Sequence, residues 1–170
     1  MQNFEKSLAL TLKYEGGFVD NRFDPGGATN MGITLATLSN YRGYTATKLD
    51  VKRLTQTEAS TIYLKHYWEP LLAQQLPSGV DMFMFDYAVN SGPARAVKAL
   101  QSSLGLPPDG NLKVSTLQAA LRQDQATLIR ALASKRLGFL QQLRSFQQFG
   151  RGWKTRVEAV TAASLALCHS

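Results

Sequence analysis

From Glu15 to Thr34 the chain reads EGGFVDNRFDPGGATNMGIT. Upstream of this stretch, apolar Phe4, Leu8 and Leu12 recur at every fourth residue, the spacing of one helical face, and Gly16-Gly17 supplies a stop. A helix over residues 3–15 is predicted. Inside the stretch the helical period vanishes, and Asp24-Pro25-Gly26-Gly27 is a turn signal between two short extended pieces. Those pieces predict a small β-hairpin over residues 18–33. A helix therefore runs straight into a glycine-rich hairpin.

Helical character resumes over Thr34–Leu38 and breaks at Gly43. Thr55-Gln56-Thr57-Glu58 has the capping-box pattern, in which hydroxyl and carboxylate reciprocally satisfy free N–H groups, and opens a helix carrying Ile62, Tyr63 and Tyr67. Pro70 ends it. Pro77-Ser78-Gly79 precedes the apolar run VDMFMFDYAVNSG, and Pro93 suits the first position of a helix reaching Leu104, stopped by Gly105. LPPDG is a surface loop. Further helices are expected over Ser115–Arg122 and Gln125–Arg144, then a turn at Gly150-Arg151-Gly152 and a last helix over Trp153–Leu167. The fold class is mainly α with one small β-hairpin near the N-terminus. Residues 1–76 carry Glu15 and the hairpin, and residues 77–170 form a helical lobe, the two packed as one compact unit.

The composition narrows the chemistry. One cysteine, Cys168, excludes an internal disulfide framework, and the two histidines, His66 and His169, stand in no ligand motif, so no metal and no cofactor is expected. No stretch approaches the roughly 20 apolar residues of a membrane span. The N-terminus, with LALTL as its longest apolar run and Glu5 ahead of it, is not a secretion signal, so synthesis in the cytoplasm is expected. Nineteen basic and twelve acidic residues give a net charge of +7. Residues 1–75 hold eight basic and seven acidic residues, whereas residues 76–170 hold eleven and five. The second half is the cationic one and suits an anionic polymer. Its basic residues are spaced along helices without a zinc, basic-zipper or RNP motif, which argues against nucleic acid. A solvated basic surface is the bland alternative.

Glu15 stands eleven positions after Phe4 and seven after Leu8, which at about 100° per residue places it within about 20° of the apolar stripe. A carboxyl at the core-facing end of a helix is partly desolvated, which favours the protonated form that a general acid needs. The alternative is an exposed helix-end glutamate paired with Lys13. Asp20 and Asp24 come next, in a hairpin that can fold back over the helix end. Glycoside hydrolysis uses a carboxylic acid to protonate the leaving oxygen and usually a second carboxylate to position water or stabilise positive charge. Thr29 and Asn30, on the returning strand, could hold the water or a sugar hydroxyl. Asp24 also reads as a turn former, and Asp20 as an exposed turn residue.

EGGFVDNRFDPGGATNMGIT strongly resembles the N-terminal motif of glycoside hydrolase family 108, the muramidases of phage endolysins and secretion activators, whose pattern is E-G-G-[YF]-V-x-[ND]-x-x-x-D-P-G-G-x-T-x-x-G-I-T. The resemblance implies a lysozyme-like helical fold and makes Glu15 the catalytic acid. Phage lysozymes share the order glutamate, aspartate, threonine, and Glu15, Asp24 and Thr29 match it, with the last interval one residue shorter than in the commonest version. FDYAVNSGP, Phe85–Pro93, is similar to the helix ending in F-x-x-N-x-G that lines the cleft of phage-type lysozymes. By that likeness Asp86 and Asn90, four apart on one helical face, become substrate-binding candidates, against the alternative of a surface cap or pair for Asp86. VKALQSSLGLPPDGNLKVSTLQAAL resembles a peptidoglycan-binding helical module, although its leucines also suit a core. Tyr63, Tyr67 and Trp68 could stack on sugar rings or fill the core, with Trp68 taken as the binding candidate; Trp153 reads as a packing anchor.

The resemblance implies an N-acetylmuramidase acting on peptidoglycan between N-acetylmuramic acid and N-acetylglucosamine. It would be a monomer without stable membrane insertion, released through a holin or similar export route to act in the periplasm and cell wall. A lytic transglycosylase using the same Glu15 is the nearest rival, and a non-catalytic wall-binding or secretion-assisting module is the other. Asp24 and Thr29 favour hydrolysis, and an intact Glu15 speaks against a silent module.

Overall fold

A computed structural model of the chain describes residues 2–20 and 27–168. It is mainly helical, with one two-stranded antiparallel sheet among the described residues. The chain divides into two compact units, Leu8–His66 and Met1–Ser7 with Tyr67–Ser170. The break falls at 66/67, and the first turns of the N-terminal helix go with the larger unit.

Helix α1 spans Gln2–Glu15, with Glu5 in its first turn and Lys13 in its last, each complementing the helix dipole. Phe4, Ser7, Leu8 and Thr11 form its buried stripe. In the smaller unit, strands β1 (Thr29–Asn30) and β2 (Ile33–Thr34) pair with Thr29 opposite Thr34 and Asn30 opposite Ile33. Val19 joins Thr29 antiparallel, each N–H donating to the other's carbonyl at 2.8 Å. The two extended pieces predicted on either side of the Asp24–Gly27 signal are thus paired, while Asp24 itself lies outside the described residues. A second turn was not foreseen. Met31 and Gly32 form a two-residue loop with φ of 48° and 73°, the left-handed pair that a tight hairpin turn of the I′ type requires.

Helix α2 (Leu35–Arg42) opens on Thr34, whose hydroxyl accepts the Thr37 N–H at 3.1 Å, and closes on Gly43. Helix α3 (Lys48–Lys52) escaped the sequence reading, since five residues show no period. It starts on a complete capping box: the Thr47 hydroxyl accepts the Asp50 N–H at 3.2 Å, and the Asp50 carboxylate accepts the Thr47 N–H at 2.8 Å. Helix α4 (Gln56–Tyr63) has only half of the box expected for it. Thr55 accepts from the Glu58 N–H at 3.1 Å, but the Glu58 carboxylate accepts from Arg42 Nε and Nη2 at 2.8 and 2.9 Å. That bidentate grip holds the Glu58 carboxyl below its ordinary range. Ile33, Leu38, Val51, Ala59 and Ile62 are among the buried apolar residues of this unit. Beyond Tyr63 the helix widens into a π-helical stretch, Leu64–Trp68, before Pro70.

In the larger unit, a 3₁₀ turn at Ala73–Gln75 leads to α5 (Val80–Ser91), buried from Val80 through Ala88. A helix apolar on every side must be central, and α5 packs on α6 (Pro93–Ser103), α8 (Gln125–Gln141) and α9 (Phe146–Leu167). Helix α7 covers Val114–Arg122. The expected turn at Gly150-Arg151-Gly152 lies inside α9, and α8 ends at Gln141, short of Arg144. Glycine costs a helix about 1 kcal/mol per residue, but the buried stripe of α9 (Val157, Val160, Ser164) extends back to Gly150. A Cβ there would stand 2.9 Å from the Phe146 ring, so the bare backbone lets that ring lie across the helix. No helix among the described residues is long and apolar enough to cross a membrane.

Candidate active site

Glu15 is the last residue of α1 and is half-buried. Its carboxyl sits against the Met31-Gly32 turn: a Cβ on residue 32 would stand 2.7 Å from Glu15 Oε2 and 3.1 Å from Glu15 Cβ. The same point is 2.5 Å from Tyr63 Oη. Only a glycine lets the turn backbone come this close to both groups. Tyr63, the last residue of α4 and 1% exposed, donates its hydroxyl proton to the Met31 carbonyl at 2.8 Å. A helix end, a hairpin turn and a buried tyrosine thus converge on one spot, all within the smaller unit. The sequence left Tyr63 open between core and sugar stacking; its ring is core and its hydroxyl belongs to the turn.

Thr29 and Asn30 are neighbours on a strand and face opposite ways. Thr29 is half-buried. Asn30, 9% exposed, turns inward, and its amide donates to the carbonyls of Val51 and Lys52 at 3.0 and 3.4 Å. Its amide N–H groups thus bind the sheet to the end of α3. Asp20 is exposed and ion-paired with Lys48 at 2.9 Å. Two aromatic residues flanking the EGG motif were overlooked: Tyr14 and Phe18 are exposed, and Lys52 Nζ lies 5.8 Å from the Phe18 ring centre. Their place on either side of a glutamate was the available signal.

The other three candidates belong to the larger unit. Trp68, 4% exposed, stands edge-on to Phe4 and Phe85 with ring centres 5.3 and 5.7 Å away. Its ring is packed in the core, whereas the sequence offers it as a binding candidate. Asp86, 1% exposed, accepts from Arg156 Nε at 3.1 Å and Nη2 at 2.8 Å, and Arg136 Nη1 lies 2.8 Å from its other oxygen. Burial pushes this carboxyl up, and Arg136 and then Arg156 overrule it, so it is held below its ordinary range. Both of its oxygens are thus gripped inside the fold by guanidiniums. Asn90, half-buried beside it, accepts at Oδ1 from Arg136 Nη2 at 3.2 Å and from Ser91 Oγ at 3.1 Å, so its carbonyl oxygen serves the same network.

The smaller unit therefore offers a carboxyl fixed against a backbone turn, flanked in sequence by exposed Tyr14 and Phe18 and followed by the Asp24 segment. Comparison with known proteins bears on what this can be. The family model described as Glycosyl hydrolase 108 matches residues 8–92, which include the helix end, the turn and Tyr63. The solved structure of SagA from Brucella abortus is 44% identical, and the match covers 98% of this chain and 96% of that one with a TM-score of 0.89. No curated protein matches. With half of its length on the family model and nearly all of it on a structure of that identity, the chain belongs to glycosyl hydrolase family 108.

Proposed function

We propose that this glycoside hydrolase is an N-acetylmuramidase that cleaves the β-1,4 bond between N-acetylmuramic acid and N-acetylglucosamine in peptidoglycan, with Glu15 as general acid. The observation that carries the reading is the seating of the Glu15 carboxyl against Gly32, at the end of a helix and beside a turn fixed by Tyr63. A general acid must meet the leaving oxygen at a set distance and angle, and a carboxyl on a regular element meets that need better than one on a loop. In the proposed reaction Glu15 gives its proton to the glycosidic oxygen as the C–O bond breaks and positive charge develops on the muramyl ring. Asp24 acts as base or stabilises that charge, and Thr29 helps to hold the attacking water. Residues 77–170 serve as the wall-binding part, and the enzyme reaches the wall through a holin or similar route.

Glu15→Gln tests the assignment. The folded variant is expected to lose at least about a hundredfold of activity, since proton donation is typically worth 10²–10⁴. Near-normal activity would refute it. Mass spectrometry of muropeptides released from purified sacculi tests the reaction: reducing N-acetylmuramic acid ends are expected, and dominant 1,6-anhydro ends would replace water by the muramyl hydroxyl as nucleophile.

A further inference from the structure

We infer that Tyr63 is a positioning residue for the general acid, acting through the carbonyl of Met31 and the backbone of Gly32; this rests on the reading of Glu15 as that acid. Met31 is the first residue of a turn whose two central positions both take positive φ, at 48° and 73°. Such a position favours Gly, Asn or Asp, and an unbranched apolar side chain is disfavoured there. What holds Met31 in place is the Tyr63 hydroxyl on its carbonyl at 2.8 Å. A carbonyl can only accept, so the one hydroxyl proton of Tyr63 points at the turn. The tyrosine cannot swing away, being 1% exposed at the end of α4, where the helix widens into its π-helical stretch. Helix π-bulges of this kind frequently mark functional sites.

The next residue of the turn, Gly32, is the wall against which the Glu15 carboxyl rests. Glu15 Oε2 and Tyr63 Oη stand 2.7 and 2.5 Å from the place its Cβ would occupy. Tyr63 therefore fixes the turn right beside the acid, and the turn limits where the carboxyl can go. A buried tyrosine hydroxyl needs some acceptor, and this one finds it where the Gly32 backbone and the acid come close. This convergence separates Tyr63 from its equally buried neighbour Ile62, for which burial is sufficient explanation. Misplacing a catalytic group by about 1 Å can cost on the order of a hundredfold in rate, so freeing the wall acts on kcat.

Tyr63→Phe removes one oxygen and keeps the ring. On soluble glycan oligomers, well below the melting temperature, kcat is expected to fall about 10- to 100-fold, with KM within about threefold. Gly32→Ala reaches the same contact from the other side, and its kcat is expected to fall at least as far. Ile62→Val, a buried change of comparable mildness on the same helix, serves as the structural control with wild-type kcat. Wild-type kcat in folded Tyr63→Phe, beside an inactive Glu15→Gln, overturns the positioning role and leaves the acid standing. An active Glu15→Gln overturns the acid itself. If Tyr63→Phe does not accumulate as folded protein, Gly32→Ala decides, and wild-type kcat there overturns the role. Loss of kcat in Ile62→Val equal to that in Tyr63→Phe would reduce the effect to general packing and also overturn it.

Discussion

Asp86→Asn is the perturbation whose size the structure allows to be worked out. The wild-type cluster is one carboxylate between two guanidiniums: Asp86 is 1% exposed, the Arg136 side chain is fully buried and that of Arg156 is 8% exposed. Arg136 and Arg156 make nitrogen–oxygen contacts of 2.8–3.1 Å to both of its oxygens. Asparagine keeps the shape but removes the charge and places an N–H₂ where one guanidinium expects an acceptor. Both guanidiniums then lose, inside the fold, the carboxylate they share. Breaking a buried pair by removing one partner costs about 3–5 kcal/mol, a large part of the roughly 5–15 kcal/mol that holds a domain together. At about 2–4 °C per kcal/mol for a chain of this size, the melting temperature should drop by about 6–20 °C. The pH dependence has a definite sign. The folded-state carboxyl is held below its ordinary range and the unfolded value is about 3.9, so the wild-type contribution is complete above the unfolded value and disappears as pH falls through the folded one. The variant should lack this acid-sensitive part, so the gap between the two proteins closes below about pH 4. Urea unfolding across pH is the assay, with activity per folded molecule alongside. A loss under about 1 kcal/mol, or a rise in KM with stability intact, would refute the reasoning and return Asp86 to the substrate.

Asn30→Ala removes the amide that serves the Val51 and Lys52 carbonyls. We expect about 1–3 kcal/mol of lost stability by chemical denaturation, with KM unchanged; a raised KM at full stability would instead place Asn30 at the substrate. The basic second half should adsorb to sacculi in a salt-sensitive way, weakening between roughly 0.05 and 0.5 M salt as the screening length shortens. Lys113 already pairs with Asp109, so Arg95, Lys98 and Arg122 are the residues expected to carry the effect. A sedimentation assay that shows no salt dependence would leave the charge excess as a solubility feature.

What could be read from the sequence was local. The placing of Glu15 comes from the period of Phe4, Leu8 and Leu12, and the first reversal from the Asp-Pro-Gly-Gly turn chemistry, because both signals lie within a few residues of their effect. The Met31-Gly32 turn lacks the Asn-Gly or Asp-Gly pair that marks a tight hairpin, and what makes Met31 tolerable lies 32 residues away at Tyr63. Asp86 read as a substrate-binding candidate or a surface pair because its partner Arg156 is 70 residues distant, and a carboxylate in an apolar run carries no local sign of what will neutralise it. The partners of Asn30 were hidden for the same reason: its acceptors are main-chain carbonyls, which leave no trace in the sequence. Gly150-Arg151-Gly152 was misread in the opposite direction, since glycine argues locally for a turn while the stripe of α9 and the Phe146 ring keep the backbone helical.

The positive φ of Met31 has a consequence for anyone who wishes to make this enzyme hardier. A thermostabilisation campaign ranks residues by backbone discomfort, and a methionine in the left-handed region would come near the top, with asparagine as the obvious replacement ahead of Gly32. The gain would be real and would show in a melting curve. Yet the substitution would act on the segment against which the Glu15 carboxyl rests, where a relaxed turn is free to settle a fraction of an ångström from its present place. Heat resistance and turnover would be traded at a single codon, and a screen scored only on residual fold would select the wrong allele without noticing.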